Sequence, residues 1–99
     1  MHVIQERTLK LRGAALQALV DLIGDFERLA RDGSAETLAR ARRLQRHAQF
    51  RIDFVEAENS MGFHAPQETA RIIAEAIDLA RQAQIVLSLI HISEPTRPY

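Results

Sequence analysis

Apolar side chains recur at steps of three and four along most of this chain, the spacing that lines one face of an α-helix. From about residue 5 to 31 the stripe reads Leu9, Leu16, Leu19, Ile23, Phe26 and Ala30, with charged residues on the other side. From 35 to about 58 it reads Leu38, Ala41, Leu44, Ala48, Ile52 and Val55, with Phe50 and Phe54 on a flanking face. From 66 to about 86 it reads Ile73, Ala76, Ile77, Ala80 and Ala83, a narrow seam whose small residues allow close approach. The pattern predicts an all-α fold of three helices. At 1.5 Å per residue the first would extend roughly 40 Å, longer than a chain this small needs to cover its own core. Part of its partner surface is therefore expected in another chain or domain.

Two breaks separate these stripes. At Asp32-Gly33-Ser34, Gly33 is able to take a left-handed conformation and Ser34 to cap the donors that follow. A link this short predicts an antiparallel helical hairpin, with the first two helices as neighbours. In the second break Asn59, Ser60 and Gly62 favour leaving a helix. Pro66 has a fixed φ suited to the first position of a new one, and Glu68 in that first turn suits the macrodipole. No repeat, heptad array or low-complexity tract is visible.

Composition bounds the class. The chain has 99 residues, 46% hydrophobic and 26% charged, enough for one modest domain and too balanced for a disordered tail. Its formal net charge is zero, which gives no global push toward nucleic acid or an anionic membrane. Without cysteine it forms no disulfide, no thiolate metal site and no covalent c-type haem linkage of its own. Its first residues, Met-His-Val-Ile-Gln-Glu-Arg, read as neither a signal peptide nor a membrane span.

The candidate chemistry lies in the second break, where His64 sits between a helix stop and a helix start. A helix N-terminus disfavours added positive charge, so an imidazole there tends to stay neutral and keep a lone pair for a metal. Other candidates carry less. Glu56 and Glu58, two apart on a helix, point to different faces and do not converge as an acid–base pair. His47 and His64 do not have the spacing of a zinc site. Arg40, Arg42, Arg43, Arg46 and Arg51 could track phosphates, but no aromatic interleaving or groove-reading motif accompanies them. They are expected to be solvated, or neutralised by Glu36, Asp53 and acids of the neighbouring helix.

From His47 to Ile73 the string His-Ala-Gln-Phe-Arg-Ile-Asp-Phe-Val-Glu-Ala-Glu-Asn-Ser-Met-Gly-Phe-His-Ala-Pro-Gln-Glu-Thr-Ala-Arg-Ile-Ile resembles the C-terminal region of the ammonia-forming cytochrome c nitrite reductases, the pentahaem c552 family. The shared motif is Ala-Gln-aromatic-x-x-Asp, a variable turn, then His-x-Pro-x-Glu and a further helix. The resemblance implies that His64 is the distal axial ligand of a bis-histidine electron-transfer haem, with metal and cofactor contact through that one residue. It implies a c-type haem attached to a missing upstream region, since no Cys-x-x-Cys-His or Cys-x-x-Cys-Lys motif is present. It also implies calcium in the parent, whose ligands match no residue here, and no catalytic residue within the fragment. Phe50 and Ile52 stand where the family often has tryptophan.

On that reading residues 1–86 are the C-terminal helical segment of a larger, periplasmic multihaem fold that reduces nitrite to ammonium by six electrons. The partners implied are the rest of the parent chain and its haems, a quinol-linked electron donor, and a second copy in a homodimer built through long helices. Phe50, Phe54, Met61 and Phe63 would help exclude water from the haem. Neither nucleic acid nor a membrane span is expected. The rival reading is a small helical protein–protein interaction module with His64 purely structural; a third is an arginine-rich nucleic-acid binder.

Residues 87–99 stand apart. Leu-Ser-Leu-Ile-His-Ile-Ser-Glu-Pro-Thr-Arg looks like the translation of a transposon-based sequencing-library adapter, matched over eleven consecutive codons. The natural sequence is expected to end near Val86, and His91 to carry no functional meaning.

Overall fold

A computed structural model describes the backbone of residues 2–62 and 66–90, and side chains for 9–62 and 67–90. Three long helices account for nearly all of it: α1 (His2–Leu29), α2 (Ala35–Ser60) and α3 (Pro66–Ser88), with a 3-10 turn at Ala30–Asp32 closing α1. The all-α class and the three predicted spans hold, with the ends displaced by only a few residues.

Local chemistry explains the first link. The Gly33 N–H donates to Ala30 O at 3.2 Å, so the 3-10 turn ends α1 with no left-handed residue. Gly33 is instead extended, at φ −93° and ψ 153°, which corrects the expected left-handed role. Its small size matters for a different reason: a Cβ there would lie 2.7 Å from Ile90 Cδ1 and 3.3 Å from Leu38 Cδ2. Ser34 caps α2 as expected, its Oγ accepting from the Thr37 N–H at 3.1 Å, worth about 1 kcal/mol by the usual cost of removing such a cap.

The hairpin is present. Arg12 of α1 pairs with Glu56 of α2, and Arg42 of α2 lies over the Phe26 ring of α1, 5.4 Å from its centroid. The two contacts run in opposite sequence order, so α1 and α2 are antiparallel. Yet direct contact between these two helices is slight, and α3 supplies most of the packing, against α2 and α1 alike. It runs parallel to α1, where Asp21 meets Arg81 and Asp25 meets Gln84. The expected antiparallel hairpin of α1 and α2 is thus present, with α3 packed against both.

Alanine is the reason α3 can take that place. Ala76, Ala80 and Ala83 face Ala15 and Ala18 of α1 and Ala41 and Ala48 of α2 across one core, each at most 1% exposed. Leu22, Ile73, Leu87 and Ile90 are its largest fully buried side chains. The expected stripes of α2 and α3 are close to those observed, with Leu38, Leu44 and Ile77 half-buried at the margin. On α1 the expected stripe is rotated from the observed one. Ala15, Ala18, Leu19 and Leu22 face inward, whereas Leu9, Leu16 and Ile23 are exposed. The inward face joins the two alanines to Leu19 and Leu22, with Leu11, Phe26 and Leu29 at its margin, and the small residues let α3 approach closely.

Candidate functional site

The second link is where the sequence placed its chemistry, and its two flanks are described. Helix α2 continues through Asn59 and Ser60, with Ser60 Oγ donating to Glu56 O at 3.1 Å. Met61 caps the helix, its N–H shared between Ala57 O and Glu58 O at 3.2 Å each. Gly62 then turns the chain at φ +82°, its N–H donating to Asn59 O at 3.1 Å. That is the left-handed region in which glycine has no Cβ penalty. On the far side α3 opens at Pro66, as its ring geometry favours. Phe63 and His64 lie outside the described residues.

Glu68 stands in the first turn of α3. It pairs with Arg71, and Arg71 Nη1 also donates to Glu75 Oε2 at 2.8 Å. These carboxylates push the Arg71 guanidinium further above its usual range, Glu68 contributing most through its hydrogen bond. Glu75 also accepts from Arg51 Nε at 3.1 Å, joining α2 to α3 just above the junction. The turn is thus flanked by an Arg–Glu chain whose acids are already engaged.

On the α2 side three large apolar side chains are exposed. Phe50 and Met61 are exposed at 66% and 64%, and Phe54 at 43%, with the two phenylalanine rings 6.4 Å apart between centroids. A planar hydrophobic group could lie on such a surface, and with no cysteine in the chain that group would have to be anchored elsewhere.

The remaining candidates separate. Glu56 pairs with Arg12, while Glu58 takes no part in that pair. Arg51 is neutralised by Glu75, as acids of the neighbouring helix were expected to do. Glu36 and Asp53 do not serve the other arginines; Asp53 accepts instead from Gln49 Nε2 at 3.1 Å. Among the described residues no group of three or more metal-ligating side chains converges. The described surface includes a hollow of about 320 Å³ lined by Ile23, Phe26, Glu27, Ala30, Arg42 and Gln45, and another of about 210 Å³ beside Arg40 and Leu89. No helix among the described residues is long and apolar enough to cross a membrane.

Comparison with known proteins decides the family. The family model described as Cytochrome c552 matches residues 1–97. The chain belongs to the cytochrome c552 family. Among its relatives is the cytochrome c-552 of Bacteroides fragilis, 34% identical over 87 residues, which cover 87% of this chain and 18% of that protein. A protein named cytochrome c nitrite reductase subunit NrfA, from Nitratidesulfovibrio vulgaris, is 34% identical over 92 residues, covering 80% of this chain and 18% of its own length. The cytochrome c-552 of Aliarcobacter butzleri is 47% identical over a shorter stretch of 45 residues. The chain therefore spans under a fifth of the first two relatives' length. No solved structure matches it.

Proposed function

We propose that this chain is the C-terminal helical part of a multihaem, periplasmic nitrite reductase, and that His64 donates an imidazole nitrogen to the iron of an electron-transfer haem anchored upstream. The carrying observation is the family match over residues 1–97, together with a relative named as a nitrite reductase subunit. When bound, a c-type haem with a histidine on each face supplies one-electron transfer rather than substrate binding. The parent reaction, six-electron reduction of nitrite to ammonium, would take place at residues outside this segment. Calcium and a quinol-linked donor would likewise belong to the parent.

The chain's own contributions follow from what flanks the junction. Gly62 and Pro66 fix where α2 stops and α3 starts, which restricts the span available to His64. Phe50, Phe54 and Met61 offer apolar cover that would keep water from one edge of the haem. Along α1, Leu9, Leu16 and Ile23 recur every seven residues with Val20 beside them, all exposed. That seam suits a helix of a second copy, the homodimer interface in this reading. The last residues, 87–99, are read as adapter-derived, although Leu87 and Ile90 continue the inner stripe of α3. Codons from an independent clone that differ after Val86 would support this; the same codons would refute it.

The test of the haem role is His64→Ala in the full-length parent. The expected result is loss of one low-spin haem signal in electron paramagnetic resonance, with slower electron delivery to nitrite. An unchanged low-spin spectrum with unchanged turnover would overturn the assignment. Reading the DNA upstream of Met1 in frame checks the enzyme itself: several Cys-x-x-Cys-His codon sets, one ending in Lys, are expected.

A further inference from the structure

The apolar core stops short of the second link. Among the described residues between Val55 and Ile73 none is buried, so the last turn of α2 and the first two turns of α3 reach past the side chains that hold the helices together. Ile72 lies only at the margin of the core. A helix end with little apolar packing opens at low cost unless something else holds it.

Ion pairs occupy that place. At the end of α2, Arg12 of α1 takes both carboxylate oxygens of Glu56, its Nη2 at 3.2 Å from Oε1. Ser60 Oγ ties the last residue of α2 to the carbonyl of the same Glu56. At the start of α3, Glu75 is shared by two arginines, one from each helix: Arg51 Nε donates to Oε1 at 3.1 Å and Arg71 Nη1 to Oε2 at 2.8 Å. Arg51 is itself fixed to α2, where its Nη1 donates to His47 O at 3.1 Å. Arg71 carries the chain on to Glu68 in the first turn of α3. One exposed pair contributes little, but a forked pair and a chain of alternating charges are the arrangements in which such contacts hold position.

We propose that Glu56 and Glu75 are positioning residues for the link between α2 and α3. They brace the two helix ends from α1 and α2, so the point from which His64 is delivered is set by charge rather than by apolar packing. What concerns His64 rests on the haem role proposed for it; the bracing of the helix ends does not. A brace of exposed charges weakens as salt rises, because screening acts over about 8 Å at physiological ionic strength. Apolar packing is not screened. The helix ends beside the link are therefore salt-sensitive, and the middle of the bundle is not.

The experiment is hydrogen exchange on the full-length haem-loaded parent, compared with Glu75→Gln and with a control, Asp78→Asn, which removes an α3 carboxylate that accepts from Gln82 on its own helix. In Glu75→Gln the amides of residues 71–74 are expected to exchange ~2- to 30-fold faster, the range for losing two exposed charge pairs. Those of Ala80 and Ala83 are expected to keep their rates. Added salt is expected to close the gap by speeding exchange in the parent alone. Unchanged exchange at 71–74, equal acceleration in Asp78→Asn, or a gap that survives salt overturns the brace. Electron paramagnetic resonance of the same samples reads the delivery of His64. The low-spin component lost in His64→Ala is expected to shift its g values in Glu75→Gln and Glu56→Gln and to keep them in Asp78→Asn. Faster exchange with unmoved g values overturns the positioning role. A His64→Ala variant that loses no signal overturns the haem reading instead, while the exchange result still decides the brace.

Discussion

Replacing Leu22 and Leu16 in turn by alanine measures how α1 is rotated. Both are leucines on one helix, six residues apart, and Leu16 belongs to the stripe that the sequence favours. Leu22 is fully buried, whereas Leu16 is 41% exposed. Leu22→Ala loses the transfer free energy of the removed methyl groups and leaves a cavity against the alanine seam, for a cost of about 2–5 kcal/mol. Leu16→Ala vacates a position already open to water and should cost about 1 kcal/mol or less. In a domain of this size each kcal/mol lowers the melting temperature by about 4–8 °C. Far-ultraviolet circular dichroism melts of the 99-residue chain should therefore show Leu22→Ala falling at least about 8 °C below the parent and Leu16→Ala within about 8 °C of it. Equal losses, or a larger loss at Leu16, would mean that α1 presents the Leu9–Leu16–Ile23 face to the core and that the described packing is wrong.

Three further perturbations test other features. Gly62→Ala forces a Cβ into left-handed backbone at φ +82°, and chemical denaturation should show a loss of about 1–2 kcal/mol; no loss would mean that the turn relaxes without cost. Gly33→Ala should cost about 1 kcal/mol or more because its Cβ would meet Ile90 Cδ1 at 2.7 Å, and pairing it with Ile90→Ala should remove that specific penalty in a double-mutant cycle. Asp21 is held below the usual carboxylate range, first by the hydrogen bond from Gln17 and then by that from Arg81. A group whose folded pKa is lowered stabilises the fold above its unfolded pKa, and the contribution is lost as pH falls through the folded value. Stability measured from neutral pH down into the acid range should thus decline less steeply in Asp21→Asn than in the parent, and identical slopes would refute the coupling.

The candidate site was only partly legible in the sequence. The break between α2 and α3 could be read from Gly62 and Pro66 because each carries its backbone preference within its own residue type. The motif around His64 could be matched because its spacing survives as residue order. The Arg–Glu chain beside the junction was not legible. Arg51 and Glu75 are 24 residues apart and meet only because α2 and α3 pack together. Glu68 and Arg71, by contrast, are three residues apart on one helix, a local pair that spacing does allow.

By itself the sequence determined which segments are helical, where Ser34 caps α2, and which faces of α2 and α3 are buried. Those features follow from backbone preference and from stripes in which large and small apolar residues agree. Tertiary structure alone decided that α3 occupies the groove between the other two helices, that α1 turns its alanines inward, and that Gly33 is extended and lies against Ile90 rather than left-handed. The physical reason is that the hydrophobic pattern weighs each side chain by its own apolarity, whereas helices that approach closely select surfaces by shape. On α1 apolar residues line two faces, and packing against α3 chooses the one that also carries Ala15 and Ala18.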